Sequence, residues 1–281
     1  MTRVQQAASD FNRMMKLKSW TSESMGTLKP ALSGNITFKD VSFSYAQRPQ
    51  DIVLRNLNLD LQFGKSTAIC GVSGSGKSTM VAILQRLYQC SVGSVAINGI
   101  DINQIDLQFL RSNLSVVSQN PALFDMSVRE NIVFGLPQPK PCQSEIEMAC
   151  REANVHDFIS SLPNGYETCL GENGQLFSGG QGQRLAIARA LLRPCVIRIL
   201  DECTSALDTD NQTAVLKCLL KPQKGVTTII ITHKVDVMKA CDNILLLEAG
   251  KIKEQGNYSD LMLRQGSFYQ LASSDEFGGK S

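Results

Sequence analysis

The sequence predicts an α/β domain with a mixed sheet around a phosphate-binding loop, an antiparallel β layer beside it, and an inserted helical segment. Three observations predict this. First, the glycine-rich run Gly71-Val-Ser-Gly-Ser-Gly76-Lys77-Ser78-Thr79 follows a strand-like stretch, Ala68-Ile69-Cys70, and precedes a breaker-free helical pattern from Met80 to Leu87. That strand–loop–helix context makes G-x-x-x-x-G-K-[ST] credible as a phosphate cradle rather than a plain Gly-Ser turn. Second, period-2 apolar positions run ahead of the loop. Third, buried-type strands alternate with helical segments after residue 193.

The elements follow in order. Residues 1 to about 20 read as a short amphipathic helix, with Phe11, Met14, Met15 and Leu17 among polar neighbours. So short a helix cannot bury its apolar face alone, so it is expected to be the end of something larger. Residues 21–34 are rich in Ser, Thr, Gly and Pro and read as a linker. Ile36 and Phe38 alternate, then Val41, Phe43 and Tyr45 resume after a one-residue slip, the mark of a bulge. Leu57, Leu59 and Leu61 make a second strand, and Asn98-Gly99 centres a hairpin. Residues 127 to about 193 are mostly helical in pattern, including 145–152, 156–162 and 178–193. Strands over 196–200, 226–231 and 244–247 supply a parallel core. The expected organisation is a domain over 35–275 with a helical subdomain at about 122–193, preceded by residues 1–34 and followed by a tail, 276–281.

Composition narrows the function classes. The chain has 281 residues, net charge +2, 43% hydrophobic and 19% charged residues, an ordinary globular composition. The balanced charge gives no reason to expect nucleic acid. No run approaches the ~20 apolar residues that cross a bilayer, and no secretory leader is legible in the polar, basic N-terminal stretch. The nine cysteines are odd in number and contain no C-x-x-C, so neither a disulfide framework nor a zinc site is expected.

The chemistry centres on the loop. Glycines such as Gly71, Gly74 and Gly76 let the backbone approach an anion, and the amides of Ser73, Ser75 and their neighbours join the helix N-terminus in facing it. Lys77 adds a point charge, Thr79 completes the phosphate set, and the Ser78 hydroxyl can bind Mg²⁺. Five further positions fit. Asp201 and Glu202 end a buried strand, where the first could hold Mg²⁺ and the second polarise a water; alone, the pair reads equally as a helix cap. Phe177-Ser178-Gly179-Gly180-Gln181 opens a long helix with exposed amides; alone it reads as a flexible helix start. Gln119, ahead of Pro121, is a neutral oxygen donor or a turn residue. His233 ends a β run, and Tyr45 closes the first strand with a ring that could stack on a base or simply pack.

These six elements in this order resemble the nucleotide-binding domain of ATP-binding-cassette (ABC) transporters over about residues 35–275. The resemblance implies a P-loop NTPase core with the ABC ATPase fold, binding ATP and Mg²⁺ and hydrolysing the nucleotide. Tyr45 looks like the A-loop aromatic, residues 71–79 the Walker A loop, Gln119 the Q-loop, residues 177–181 the signature, residues 196–202 Walker B with its catalytic acid, Ser205-Ala206-Leu207-Asp208 the D-loop and His233 the H-loop. By resemblance, Glu202, His233, Lys77 and Gln119 act in catalysis, and Ser78, Gln119 and Asp201 organise the metal. Phe177, Ser178, Gly179, Gly180, Gln181 and Asp208 serve the ATP of an opposing domain, so the implied partners are a second nucleotide-binding domain, identical or pseudo-symmetric, and the transporter's transmembrane domains. Phe43-Ser44-Tyr45 with Arg48-Pro49, Asn131-Ile132 and Ala188-Arg189-Ala190-Leu191 are similar to B-type exporters of the multidrug-resistance and peptide-exporter kind, a class that includes lipopeptide and mating-pheromone exporters. Residues 1–34 then look like the junction to a last transmembrane helix, and the domain is expected at the cytoplasmic face of a membrane. Two other readings are an ATP-gated binding module with little hydrolysis and a soluble cassette ATPase of DNA repair or translation. Three departures stand out: Phe177 for the usual Leu, Cys203 for the usual Ala, which places an oxidisable thiol beside the site, and Gly171-Glu172-Asn173-Gly174 where an Arg is more common.

Overall fold

In the computed structural model, residues 26–171, 177–204, 207, 209–221 and 223–278 are described. The helix expected at 1–20, Glu172, Ser205, Ala206 and Asp208 lie outside them. The antiparallel sheet is built from β1 (Ile36–Ser44), β2 (Ile52–Leu61), β4 (Val92–Ile97) and β5 (Ile100–Asp101), in the order β2-β1-β4-β5. The expected slip is a register shift between Phe38 and Val41, with Asp40 at φ 50. The β4–β5 turn has positive φ at Asn98 (52) and Gly99 (75), as a two-residue hairpin requires.

The second sheet holds β3 (Ser66–Cys70), β6 (Leu114–Val117), β7 (Ile197–Asp201), β8 (Thr227–Ile231), β9 (Asn243–Glu248) and β10 (Lys251–Gly256), ordered β10-β9-β3-β8-β7-β6. All neighbours pair parallel except β10, which runs antiparallel to β9. Parallel strands covered on both faces must be apolar throughout, and β8 is buried at every position. Its side chains divide by face: Ile229 and Ile231 enter the core shared with the antiparallel sheet, and Ile230 enters the core shared with the helices. In β3, Ile69 takes the first side, Ala68 and Cys70 the second.

α1 (Lys77–Leu84) buries Met80, Val81, Ile83 and Leu84. It ends before the Leu87 expected from pattern, because Arg86 turns left-handed at φ 53. After α2 (Leu107–Ser112), the helical region consists of α3 (Val128–Ile132), α4 (Gln143–Glu152), α5 (His156–Ser160), a 3-10 turn at Gly165–Glu167, and α6 (Gly179–Leu192). Its helices are mostly shorter than their periodicity suggests; α3 is set by a capping box between Ser127 and Glu130. α7 (Thr209–Leu219), α8 (Val235–Lys239), α9 (Tyr258–Leu263) and α10 (Ser267–Gly278) complete the chain, so the expected tail begins inside a helix.

Residues 26–34, read from composition as a linker, lie against the β layer. Leu28 forms a parallel bridge to Ile105, and Leu32 is buried in the antiparallel-sheet core. A β-carbon on Gly26 would sit 2.0 Å from the Ile105 carbonyl oxygen, so only glycine passes there. Among the described residues no helix is long and apolar enough to cross a membrane.

Candidate functional site

The phosphate loop joins β3 to α1 and is shaped by close backbone contacts. Gly71 has φ 140, and a β-carbon there would lie 2.1 Å from the Leu247 carbonyl oxygen on β9. Gly76 has φ 104 and is the N-cap of α1, with no side chain capping the helix. The first-turn amides of α1 therefore have no internal acceptor and face outward with the positive end of the helix dipole. Ser75 is buried and its hydroxyl has no partner, while its carbonyl accepts from Gly250 N at 3.2 Å. The Lys77 ammonium folds back over the loop and donates to the carbonyls of Gly71 (2.8 Å) and Val72 (3.0 Å). Free amides, an orphan hydroxyl and a cation resting on its own backbone make a donor set that fits a polyphosphate.

The C-terminal ends of β7 and β8 face this loop. Asp201 lies beside Ser78; burial first, and the neighbouring Glu202 second, hold its carboxyl above the ordinary range, against Ser78 and Lys77, which favour the ionised form. Glu202 adopts φ 45, a strained region for a side chain of its kind, and its amide donates to the Ile231 carbonyl at 3.0 Å. The Glu202 carboxylate accepts from Gln119 Nε2 at 2.8 Å. His233 Nδ1 stands 3.9 Å from its other oxygen, too far for a hydrogen bond, with the imidazole 61% exposed and open to a ligand.

Tyr45 marks the other end. Its hydroxyl shares a 2.8 Å hydrogen bond with Thr79, and its ring meets Phe43 and Tyr88 edge-on, with centroids 4.9 and 5.2 Å away. Between Tyr45 and Glu202 lies a cleft of about 640 Å³, lined also by Ser73, Gly74, Gln119, Asp201 and His233. That volume suits a nucleotide. Four residues not singled out as cleft-lining from the sequence also line it, Ile231 at the end of β8 and Arg48, Asp51 and Val53. For Arg48 and Asp51 the signal was the turn after β1, in which Arg48 N donates to the Tyr45 carbonyl at 2.8 Å and Asp51 N to the Arg48 carbonyl at 3.0 Å.

The signature run stands apart. Ser178 caps α6 in a reciprocal box with Gln181, and Phe177 packs edge-on against Phe158 at 5.2 Å. None of residues 177–181 lines the cleft. Asp208 falls outside the described residues. Cys203 departs from the expectation of an oxidisable thiol: it is buried, and burial pushes its pKa up to about 12, leaving little thiolate to react. Among the described residues no group of three or more His, Cys, Asp or Glu could hold a metal by itself. Ser78 and Asp201 instead offer one hydroxyl and one carboxylate beside the phosphate cradle, the sparse protein share typical of Mg²⁺ bound with a nucleotide.

Comparison with known proteins gives a consistent result. The family model described as "ABC transporter" matches residues 54–205. The chain is 40% identical over 282 residues to the ABC-type transporter MDR1 of Aureobasidium melanogenum, covering 99% of this chain and 21% of that protein. It is 45% identical over 236 residues to the ABC multidrug transporter MDR5 of Trichophyton rubrum, covering 84% and 18%. It is 40% identical over 261 residues to the multidrug resistance protein pgp-1 of Caenorhabditis elegans, covering 93% and 20%. Among solved structures, a bacterial Atm1-family ABC exporter with ATP bound superimposes with a TM-score of 0.86 at 32% identity, over 97% of this chain and 48% of that one. The chain thus spans about a fifth of the length of the curated relatives it matches.

Proposed function

The chain belongs to the ABC transporter family, and from that premise we propose that it is the ATP-hydrolysing domain of a B-type, multidrug-resistance-like exporter. The observation that carries this is the placement of Glu202. Its carboxylate stands at the cleft wall, 2.8 Å from Gln119 and 3.9 Å from His233, and its neighbour Asp201 meets Ser78 of the phosphate loop.

Each role follows from a residue's position. Tyr45, held by Thr79, offers a ring to the adenine. Lys77 exchanges its two carbonyl acceptors for phosphate oxygens in charge-assisted bonds. Ser78, Asp201 and Gln119 would hold Mg²⁺, which when bound neutralises charge on the terminal phosphates. Glu202 orients a water and takes its proton as the water oxygen bonds to the γ-phosphorus and the bond to the β-phosphate oxygen breaks, releasing ADP. A positioned base of this kind contributes ~10²–10⁴ in rate. His233 donates to the γ-phosphate and steadies its developing charge.

Ser178, Gly179, Gly180 and Gln181 do not line this cleft, which supports a role on the ATP of a second, opposing domain; the family resemblance alone assigns Asp208 to the same role. ATP then joins two domains head to tail, and loss of the γ-phosphate loosens them. Residues 1–34 would connect the domain, at the cytoplasmic face, to transmembrane segments that select the cargo. The presence of both Glu202 and His233 favours hydrolysis over an ATP-gated module that only binds.

The test is phosphate release with MgATP by the wild-type chain and by Glu202→Gln. The variant is expected to keep ATP affinity, accumulate dimers and lose ~10²-fold or more of turnover. Full activity in Glu202→Gln overturns the assignment of the base.

A further inference from the structure

The last ladder bond between β7 and β8 is the one from Glu202 N to the Ile231 carbonyl, 3.0 Å. Beyond it the two chains leave the sheet as separate loops, one carrying Glu202, Cys203 and Thr204, the other Thr232, His233 and Lys234. Glu202 occupies a left-handed φ of 45, a conformation that persists only where its surroundings over-determine it. Gln119 holds its carboxylate from one side. On the other side the Lys234 side chain bridges the two loops. The Lys234 ammonium donates to the Thr204 carbonyl at 3.4 Å and to Oε1 of Gln212 on α7.

Lys234 starts from fixed backbone. Its amide donates to Thr232 Oγ1 at 3.1 Å, and the Thr232 amide donates to the Ile69 carbonyl of β3 at 3.2 Å. Thr204 is itself buried. The two acceptors bracket residues 205–208 in sequence, one before them and one in the helix that follows. Burial pulls the Lys234 ammonium below the usual lysine range, with the Cys203 thiol acting in the opposite direction. An ammonium is kept half-buried only if acceptors replace its water, and these two do so.

We propose that Lys234 is a positioning residue whose ammonium ties the loop carrying Glu202 to the loop carrying His233 and to α7, and so sets the spacing between the two groups. The inference rests on the reading of Glu202 and His233 as a hydrolytic pair. Methionine, of similar length, cannot donate to Thr204 or Gln212. Arginine can donate to both.

The experiment uses Lys234→Met and Lys234→Arg in the full 281-residue chain, with two readouts. Without nucleotide, amide hydrogen exchange of peptides covering 202–212 is expected to accelerate about 10-fold in Lys234→Met while peptides covering 77–84 keep the wild-type rate; Lys234→Arg stays within about 3-fold. With MgATP, kcat is expected to fall about 10-fold in Lys234→Met with KM within about 2-fold, and Lys234→Arg to recover most of it. Unchanged exchange over 202–212 overturns the clamp, as does equal acceleration over both regions, which would mean general loosening. Local acceleration with a wild-type kcat overturns the positioning role. A wild-type chain that releases no phosphate sinks the hydrolytic reading itself, and the exchange data still report whether the clamp exists.

Discussion

The N-terminus of α1 and the N-terminus of α6 both open on runs of serine and glycine, and they are built in opposite ways. At α1 the N-cap is Gly76 in a left-handed conformation with no side chain capping the helix. The loop before it is pressed against β9 and the β9–β10 turn; the Ser75 amide, expected to face an anion, instead donates to the Val72 carbonyl at 3.2 Å, while the first-turn amides of α1 keep no side-chain cap. At α6 the N-cap is Ser178, whose hydroxyl accepts from the Gln181 amide at 3.3 Å while Oε1 of Gln181 accepts from the Ser178 amide at 2.9 Å. The first end is rigid and needs a ligand to complete its hydrogen bonds. The second satisfies the Ser178 and Gln181 amides with its own side chains, is exposed at Ser178 and Gly179, and lies outside the cleft. Two helix starts of similar composition are thus a cleft-lining cradle with unspent donors and a self-capped surface turn outside that cleft.

The largest expected break in this contrast is Gly71→Ala. The new β-carbon would meet the Leu247 carbonyl oxygen at 2.1 Å in a φ of 140, and the loop or β9 has to move. A loss of about 3 kcal/mol or more is expected in urea denaturation; wild-type stability would show that the loop is not pressed against β9. Next comes Lys77→Ala, which removes one charge-assisted partner from the phosphates and is expected to raise the ATP Kd about 10–100-fold by calorimetry. Unchanged affinity would mean that the amides alone hold the phosphates.

Ser178→Ala sharpens the other side. It removes the cap of α6 and is expected to lower stability by about 1 kcal/mol, while ATP affinity measured at dilutions where the chain is monomeric stays as in wild type. A weaker monomer affinity would show the two ends to be one site. The smallest effect is electrostatic. Because burial and Glu202 raise the Asp201 pKa, the ionised carboxylate destabilises the empty fold at neutral pH. Asp201→Asn is therefore expected to melt higher than wild type at pH 7, with the gap closing as pH falls through the folded-state pKa and gone below the unfolded value near 3.8. A gap that widens toward acid would reverse the assigned direction.

Legibility differed by kind of element. The phosphate loop, the Asn98-Gly99 turn and the strand ending at Asp201 carry local signals, because a positive φ or a doubly covered strand restricts residue type at the position itself. β10 left no such trace: Lys251, Lys253 and Gln255 on an edge strand are exposed, and its place comes from pairing with β9. Residues 26–34 looked like linker because Ser, Gly and Pro are common to linkers and to close-packed straps; the Ile105 contact distinguishes them. Cys203 looked reactive by adjacency to Glu202, and its burial decided otherwise.

The strands of the parallel core, the phosphate loop and the identities of the groups around it were set by the sequence alone, since each depends on local periodicity, glycine torsions or side-chain chemistry. Only the folded chain decided that Gln119 would meet Glu202 across 83 positions, that Tyr45 would bond Thr79, and that Lys234 would reach Thr204. Such meetings come from strand order and loop direction in the parallel sheet, and no pattern along the chain encodes the distance between two loops that the sheet brings side by side.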